Sequence, residues 1–185
     1  MDITVGVSNH HIHLTEKDMY TLFGEGYTLH NKRDLLQLGQ YAAEETVTLE
    51  LNGKTLEHIR IIGPCRSYTQ VELLQTDNEY FGIKAPVRTS GDLAGSETID
   101  IIGPVGRVHA VESTIVADVH IHMSESDLKT FNVNKGDTVK VVCENGAVLE
   151  DVHIKSDPTC VLELHMNKDD AIRLGIETGM VVKIC

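Results

Sequence analysis

Alternation of apolar and polar residues runs along most of the chain. Segments 2–7, 46–51, 56–62, 98–102, 115–122, 138–143, 148–154 and 181–184 are rich in Val, Ile and Thr and are bounded by turn residues, which predicts β-strands. Asn52-Gly53 and Asn145-Gly146 predict two-residue hairpin turns, whose central positions both take positive φ. Helical spacing is confined to short stretches at 15–23, 124–131 and 168–174. Each starts at or beside Thr, Ser or Asn and carries acid in its first turn. A further helical turn is expected at 34–38. Many short strands with hairpin signals predict a mainly β protein built from small barrels.

The pattern repeats. His11-Ile12-His13-Leu14-Thr15-Glu16-Lys17-Asp18 recurs as His120-Ile121-His122-Met123-Ser124-Glu125-Ser126-Asp127, an offset of 109. Residues 51–59 resemble 144–152, and 71–83 resemble 164–176, both at an offset of 93. Three blocks in one order point to an internal duplication, with about 16 extra residues between the first two blocks of the first half. The expected architecture is two small β-barrel domains, residues 1–106 and 107–185, joined near 105–110. Exchange of strands between the barrels is left open, and the active site is expected at their interface.

Composition narrows the function. Lys+Arg is 16 against 28 for Asp+Glu, a net charge of -12, and aromatics are 4%. A nucleic-acid binder needs clustered basic charge or stacking surfaces, so that class is excluded. No apolar run approaches the roughly 20 residues of a membrane span, and no signal peptide is expected after Met1. Four scattered cysteines without a CxxC predict a reduced, cytoplasmic protein.

The histidines carry the chemistry. Residues i and i+2 of a strand share a face about 6.5–7 Å apart, so His11/His13 and His120/His122 can each converge on one metal. Both pairs are expected at a barrel mouth. The offset of 93 maps His165 onto Glu72, giving each half a third donor. Three protein ligands leave a position open, the catalytic pattern, and imidazole with carboxylate suits Zn²⁺, two ions per chain. His10 lies on the opposite strand face, and Cys65 is expected to be a small buried hydrophobe.

Arg66, six residues before Glu72, makes sense beside two cations only if an anion sits there, and phosphate fits its planar fork. The loop 85–92 offers Arg88 and hydroxyls, Ser90 among them, for the same anion. Ser8 reaches that face if its strand bends.

The motifs SNHHIHLT (8–15), GPCRSYTQVE (63–72), APVRTSGD (85–92), HIHMS (120–124) and LELHM (162–166) resemble those of the PduL-type phosphotransacylases, the phosphate propanoyltransferases. The resemblance covers nearly the whole chain, in order. It implies two β-barrels and two zinc ions at their interface. The implied reaction interconverts a short-chain acyl-CoA (propanoyl- or acetyl-CoA) plus phosphate with acyl phosphate plus CoA. It assigns His11, His13 and Glu72 to one zinc and His120, His122 and His165 to the other. Arg66 binds phosphate with support from Ser8 and Ser90 as catalytic groups. A homodimer and coupling to an acetate or propionate kinase are also expected. The family's usual Arg before each His pair is replaced by His10 and Val119, and Cys65 stands where a small apolar residue is usual. Without an N-terminal targeting extension ahead of the first pair, a free cytoplasmic member, not one packaged in a microcompartment by that route, is expected. The alternatives are a two-metal hydrolase of a phosphoester or amide, and a non-catalytic metal-binding β-barrel module.

Overall fold

The computed structural model describes residues 2–185. In chain order the elements are β1 (Ile3–Ser8), β2 (His11–His13), α1 (Glu16–Phe23), β3 (Asn31–Asp34), β4 (Tyr41–Leu51), β5 (Lys54–Gly63) and β6 (Gln70–Glu72). Then follow α2 (Gln75–Phe81), β7 (Val87–Arg88), β8 (Glu97–Ile102), β9 (Arg107–Ala117), β10 (His120–His122) and α3 (Glu125–Phe131). The chain ends with β11 (Thr138–Cys143), β12 (Val148–Lys155), β13 (Glu163–Asn167), α4 (Lys168–Leu174) and β14 (Val181–Ile184). Among the described residues, no helix is long and apolar enough to cross a membrane.

The strands close two six-stranded barrels. One runs β1-β13-β10-β12-β11-β14. The other runs β4-β5-β2-β6-β9-β8 and closes because β8 pairs with both β4 and β9. β3 adds to the edge of β4, and β7 to β9. The duplication is visible in the pairing. β2 is parallel to β5 and antiparallel to β6, as β10 is to β12 and β13. β6 is parallel to β9, as β13 is to β1.

That last equivalence redraws the boundary expected at 106/107. Each strand preceding a His pair belongs to the barrel opposite the one its His pair enters. One compact unit holds the chain up to Asn9, Leu36–Leu38 and Asp118–Cys185; the other holds His10–Leu35 and Gly39–Ala117. The strand expected at 115–122 is therefore two, β9 and β10, separated by Asp118 and Val119. Residues 105–110 form no linker, since β9 starts at Arg107.

Each barrel has its own core. Ile12, Leu22, Leu49, Ile59, Ile61 and Ile101 fill the first, and Ile3, Ile121, Val141, Leu164, Met166 and Val182 the second. Burying an aliphatic side chain of this size contributes about 1.5–3 kcal/mol. Because side chains alternate along a strand, Ile12 and Ile121 enter the cores and the flanking histidines turn to the outer face of the wall. They do not sit at a barrel mouth.

The caps expected for α1, α3 and α4 form, with the Thr15, Ser124 and Asn167 side chains accepting from the N–H of Asp18, Asp127 and Asp170. The Asn52-Gly53 turn has positive φ at both residues, as expected. Asn145 does not: its side chain instead accepts from Ala147 N–H (2.9 Å) and donates to the carbonyls of Leu174 and Gly175 (3.0 and 2.7 Å), closing the end of α4. Asn52 does the same for α2 through the Phe81 carbonyl, at 3.0 Å. The helical turn expected at 34–38 is absent. β3 extends to Asp34 and a bend follows, in which Gln37 is buried and bonds both backbone groups of Val161.

Candidate metal centres

In the first barrel, β2 and β6 pair so that His11 lies opposite Glu72 and His13 opposite Gln70. The His11 and His13 rings stand edge to face with centroids 5.1 Å apart. Glu72 Oε2 is 3.3 Å from His11 Nε2, and Glu72 Oε1 is 3.7 Å from His13 Nε2. One donor atom from each of the three lies within 4.8 Å of the others. His13 Nδ1 faces the Ile62 carbonyl at 3.3 Å. A carbonyl can only accept, so Nδ1 carries the proton and the Nε2 lone pair points at Glu72. Burial lowers the His13 pKa to about 4, against the hydrogen bond that a protonated ring would donate to Glu72 and with help from the Arg66 charge and His11. His13 is thus neutral at pH 7, the form that binds metal.

Gln70 is fully buried and was not anticipated from the sequence. Its amide Nε2 donates to Glu72 Oε1 (2.6 Å) and Ser90 Oγ (2.8 Å), and its Oε1 accepts from Gly91 N–H (2.7 Å). One side chain thereby ties a candidate ligand to the loop that carries Ser90.

In the second barrel the same register sets His120 opposite His165 and His122 opposite Glu163. His120 Nδ1 bonds the Asp118 carbonyl at 2.9 Å, so its Nε2 lone pair faces His122 Nε2, 3.1 Å away. Two nitrogens that close need a proton or a cation between them. Desolvation, then the charges of Lys155 and His165, push His120 well below its ordinary value; desolvation followed by His165 and Lys155 lowers His122 to about 4. His122 Nδ1 lies 3.6 Å from the Cys160 thiol, another buried group the sequence did not flag. This set is looser than the first. The His165 ring stacks on His120 at 5.2 Å, with its Nδ1 3.9 Å from the Glu163 carboxylate. Among the described residues, only the first set brings a donor of all three members within 4.8 Å.

A sequence profile of the phosphate propanoyltransferase family matches residues 4–177. The chain belongs to the phosphate propanoyltransferase family. It is 48% identical over 144 residues to the phosphate propanoyltransferase of Thermotoga maritima, covering 78% of this chain and 69% of the relative. It is 46% identical over 140 residues to that of Lachnoclostridium phytofermentans (75% and 65%), and 45% identical over 142 residues to that of Salmonella typhimurium (77% and 67%). The matches thus span roughly two thirds of these relatives' own length. Family membership carries a phosphate acyltransferase role, and both histidine sets lie inside the matched region.

The remaining candidates sort by partner. Arg66 is half-buried in the first barrel, its guanidinium 3.4 Å from Gln40 Oε1 and close enough to His13 to depress its pKa. Ser8 lies on β1 and donates to the Met166 carbonyl at 3.5 Å, beside His165. Arg88 is turned onto its own loop, bonding Asp92 (3.3 Å) and the Ala94 carbonyl (2.6 Å), so it shapes the loop around Ser90. Cys65 packs its thiol 3.6 Å from the Met19 sulfur, and burial raises its pKa, which suits the hydrophobe expected there. His10 bonds the Asp77 carboxylate at 3.1 Å, and Val119 packs against the second core.

Proposed function

We propose that the chain is a zinc-dependent phosphate acyltransferase that interconverts a short-chain acyl-CoA, propanoyl- or acetyl-CoA, plus phosphate with acyl phosphate plus CoA. The observation that carries this reading is the convergence of the His11 and His13 Nε2 atoms on the Glu72 carboxylate, in the same barrel as Arg66. The donor set fits zinc: two imidazoles and one carboxylate, with His13 held in the ligand tautomer by a backbone carbonyl. His11, His13 and Glu72 would hold one ion, and His120, His122 and His165 the other. Zinc bound at these sites would supply Lewis-acid polarisation of oxygen and a soft partner for thiolate sulfur.

The chain's own groups do the rest. Arg66 donates the two N–H groups of its fork to two phosphate oxygens and keeps that anion oriented. Gln70 donates to the Ser90 oxygen, so the Ser90 hydroxyl hydrogen is left for the same anion. A phosphate oxygen then attacks the thioester carbonyl carbon, the C–O bond forms, and the C–S bond breaks with its electron pair leaving on the CoA sulfur. No electrons are gained or lost overall, and orientation supplies much of the rate. The acyl phosphate product is a substrate for a kinase of the acetate or propionate type.

The test is CoA release from propanoyl- and acetyl-CoA with and without phosphate. Release that requires phosphate, with acyl phosphate trapped as its hydroxamate, supports the transferase. Release without phosphate makes the chain a hydrolase, and no release makes it a binding module.

A further inference from the structure

The residue two positions before each third ligand occupies the same place in both barrels. Gln70 pairs with His13 as Glu163 pairs with His122, and each lies on the same strand face as the residue it precedes. Both are anchored from outside their strand. Gln70 is held by Ser90 Oγ and Gly91 N–H. Glu163 Oε2 accepts from Gln37 Nε2 at 3.2 Å, and Gln37 is itself fixed by the Val161 carbonyl (3.1 Å) and N–H (2.8 Å). The Glu163 carboxylate also lies over Gly6, opposite His165 on β1, where a Cβ would overlap it. A glycine at residue 6 is what gives this carboxylate its room.

The two residues complement their ligands chemically. In the first barrel the third ligand is the anion and its neighbour a neutral amide, whose N–H occupies Glu72 Oε1 and leaves Oε2 toward His11. In the second the third ligand is an imidazole and its neighbour is the carboxylate, facing His165 Nδ1 at 3.9 Å. Each donor set thus has one carboxylate within reach, once as ligand and once behind the ligand. We infer that Gln70 and Glu163 are repeat-equivalent positioning residues: Gln70 fixes Glu72 as a one-oxygen ligand, and Glu163 holds His165 through Nδ1 so that its Nε2 serves the metal. This rests on reading the two sets as metal centres.

The test uses the full-length chain loaded with zinc, with Glu163→Gln and Gln70→Met. The first keeps the shape and an acceptor for Gln37. The second keeps the volume and removes every hydrogen bond. Groups that orient metal ligands typically change affinity 10–100-fold when replaced. Chelator competition is expected to show Glu163→Gln weakening one of two zinc ions by that factor and Gln70→Met weakening the other, with the thermal midpoint of the metal-free protein near wild type in Glu163→Gln. Glu163→Asp, which shortens the reach, is expected to fall with Glu163→Gln. An unchanged affinity in either variant overturns the assignment of that residue. Equal weakening of both ions in one variant shows a global structural effect and overturns it too. Wild-type protein that takes up no zinc overturns this inference together with the metal reading, whereas two tightly bound ions in wild type and in both variants overturn this inference alone.

Discussion

The two barrels share a wiring diagram and differ in how tightly they hold their donors. In the first, a carboxylate draws two imidazoles together, and all three donor atoms fall within 4.8 Å. In the second, three imidazoles meet with no anion among them, and His165 stands off, stacked on His120. Three imidazoles hold no opposite charge to pull them inward, whereas the Glu72 carboxylate lies 3.3 Å from His11 Nε2 and 3.7 Å from His13 Nε2 and attracts any cation between them. The difference teaches that a duplicated scaffold fixes where ligands start, while the charge of one residue decides how far they close before a metal arrives.

The strongest way to break the comparison is to remove one donor from each set. His11→Ala and His165→Ala should each lose about one zinc and lower kcat by at least about 10²–10³-fold, the scale of a lost transition-state stabiliser. Elemental analysis showing the same ion missing from both variants would end the two-site picture.

Acid should separate the barrels next. The His13 and His122 pKa values lie near 4, and that of His120 well below 6.5, so the unfolded chain binds more protons than the folded one between roughly pH 4 and 6.5. Stability in the metal-free protein is therefore complete above about pH 6.5 and declines as pH falls. Each group whose pKa is near 4 contributes a loss of about 3 kcal/mol by pH 4. The second barrel has two histidines with lowered values and the first has one, so amide exchange on acidification should open β10 and β13 before β2 and β6. Simultaneous opening would show that the lowered values do not govern acid stability.

Arg66→Lys tests whether the first barrel holds the phosphate. Loss of one charge-assisted hydrogen bond, roughly 1.5–3 kcal/mol, should lower kcat/KM about 10- to 150-fold. The effect should appear in the phosphate dependence, with zinc content unchanged. A change confined to the KM for acyl-CoA would move Arg66 to the nucleotide and leave phosphate to the Ser90 loop.

The smallest effect sharpens the comparison most finely. Asn52→Ala and Asn145→Ala each remove a cap on a helix end, worth about 1 kcal/mol. Asn52 also holds a φ of 53°, so Asn52→Gly should be milder than Asn52→Ala. At Asn145, with no such φ, Gly and Ala should cost alike. Denaturant titration of the four variants decides it.

Much of this was legible in the residues. The duplication, the mainly β character, the bounds of β11, β14 and α4, and the equivalence of Glu72 and His165 in the two repeats all follow from alternation and a fixed offset. What escaped did so for physical reasons. β3 has every residue exposed, so no apolar pattern marks it. α2 starts after Leu74, which has no capping side chain, and runs through Thr, Asp and Asn, poor helix formers. Alternation tells which face of a strand is buried but not which sheet it joins, so the exchange of β1 and β9 could be raised but not read. Gln70 and Glu163 look like ordinary polar strand residues until the pairing register shows what each faces.

The placement of β1 has a consequence for synthesis on the ribosome. Val5 finds its neighbour at Leu164, about 160 residues later in the chain. At roughly 5–20 residues per second, the first strand waits on the order of 10–30 s with its backbone edges unsatisfied, while the barrel whose histidines it precedes is already being completed around it. A nascent chain with so long a wait offers a strand edge to any passing partner, so yield in the cell should depend on how well that first segment is shielded until the last residues emerge.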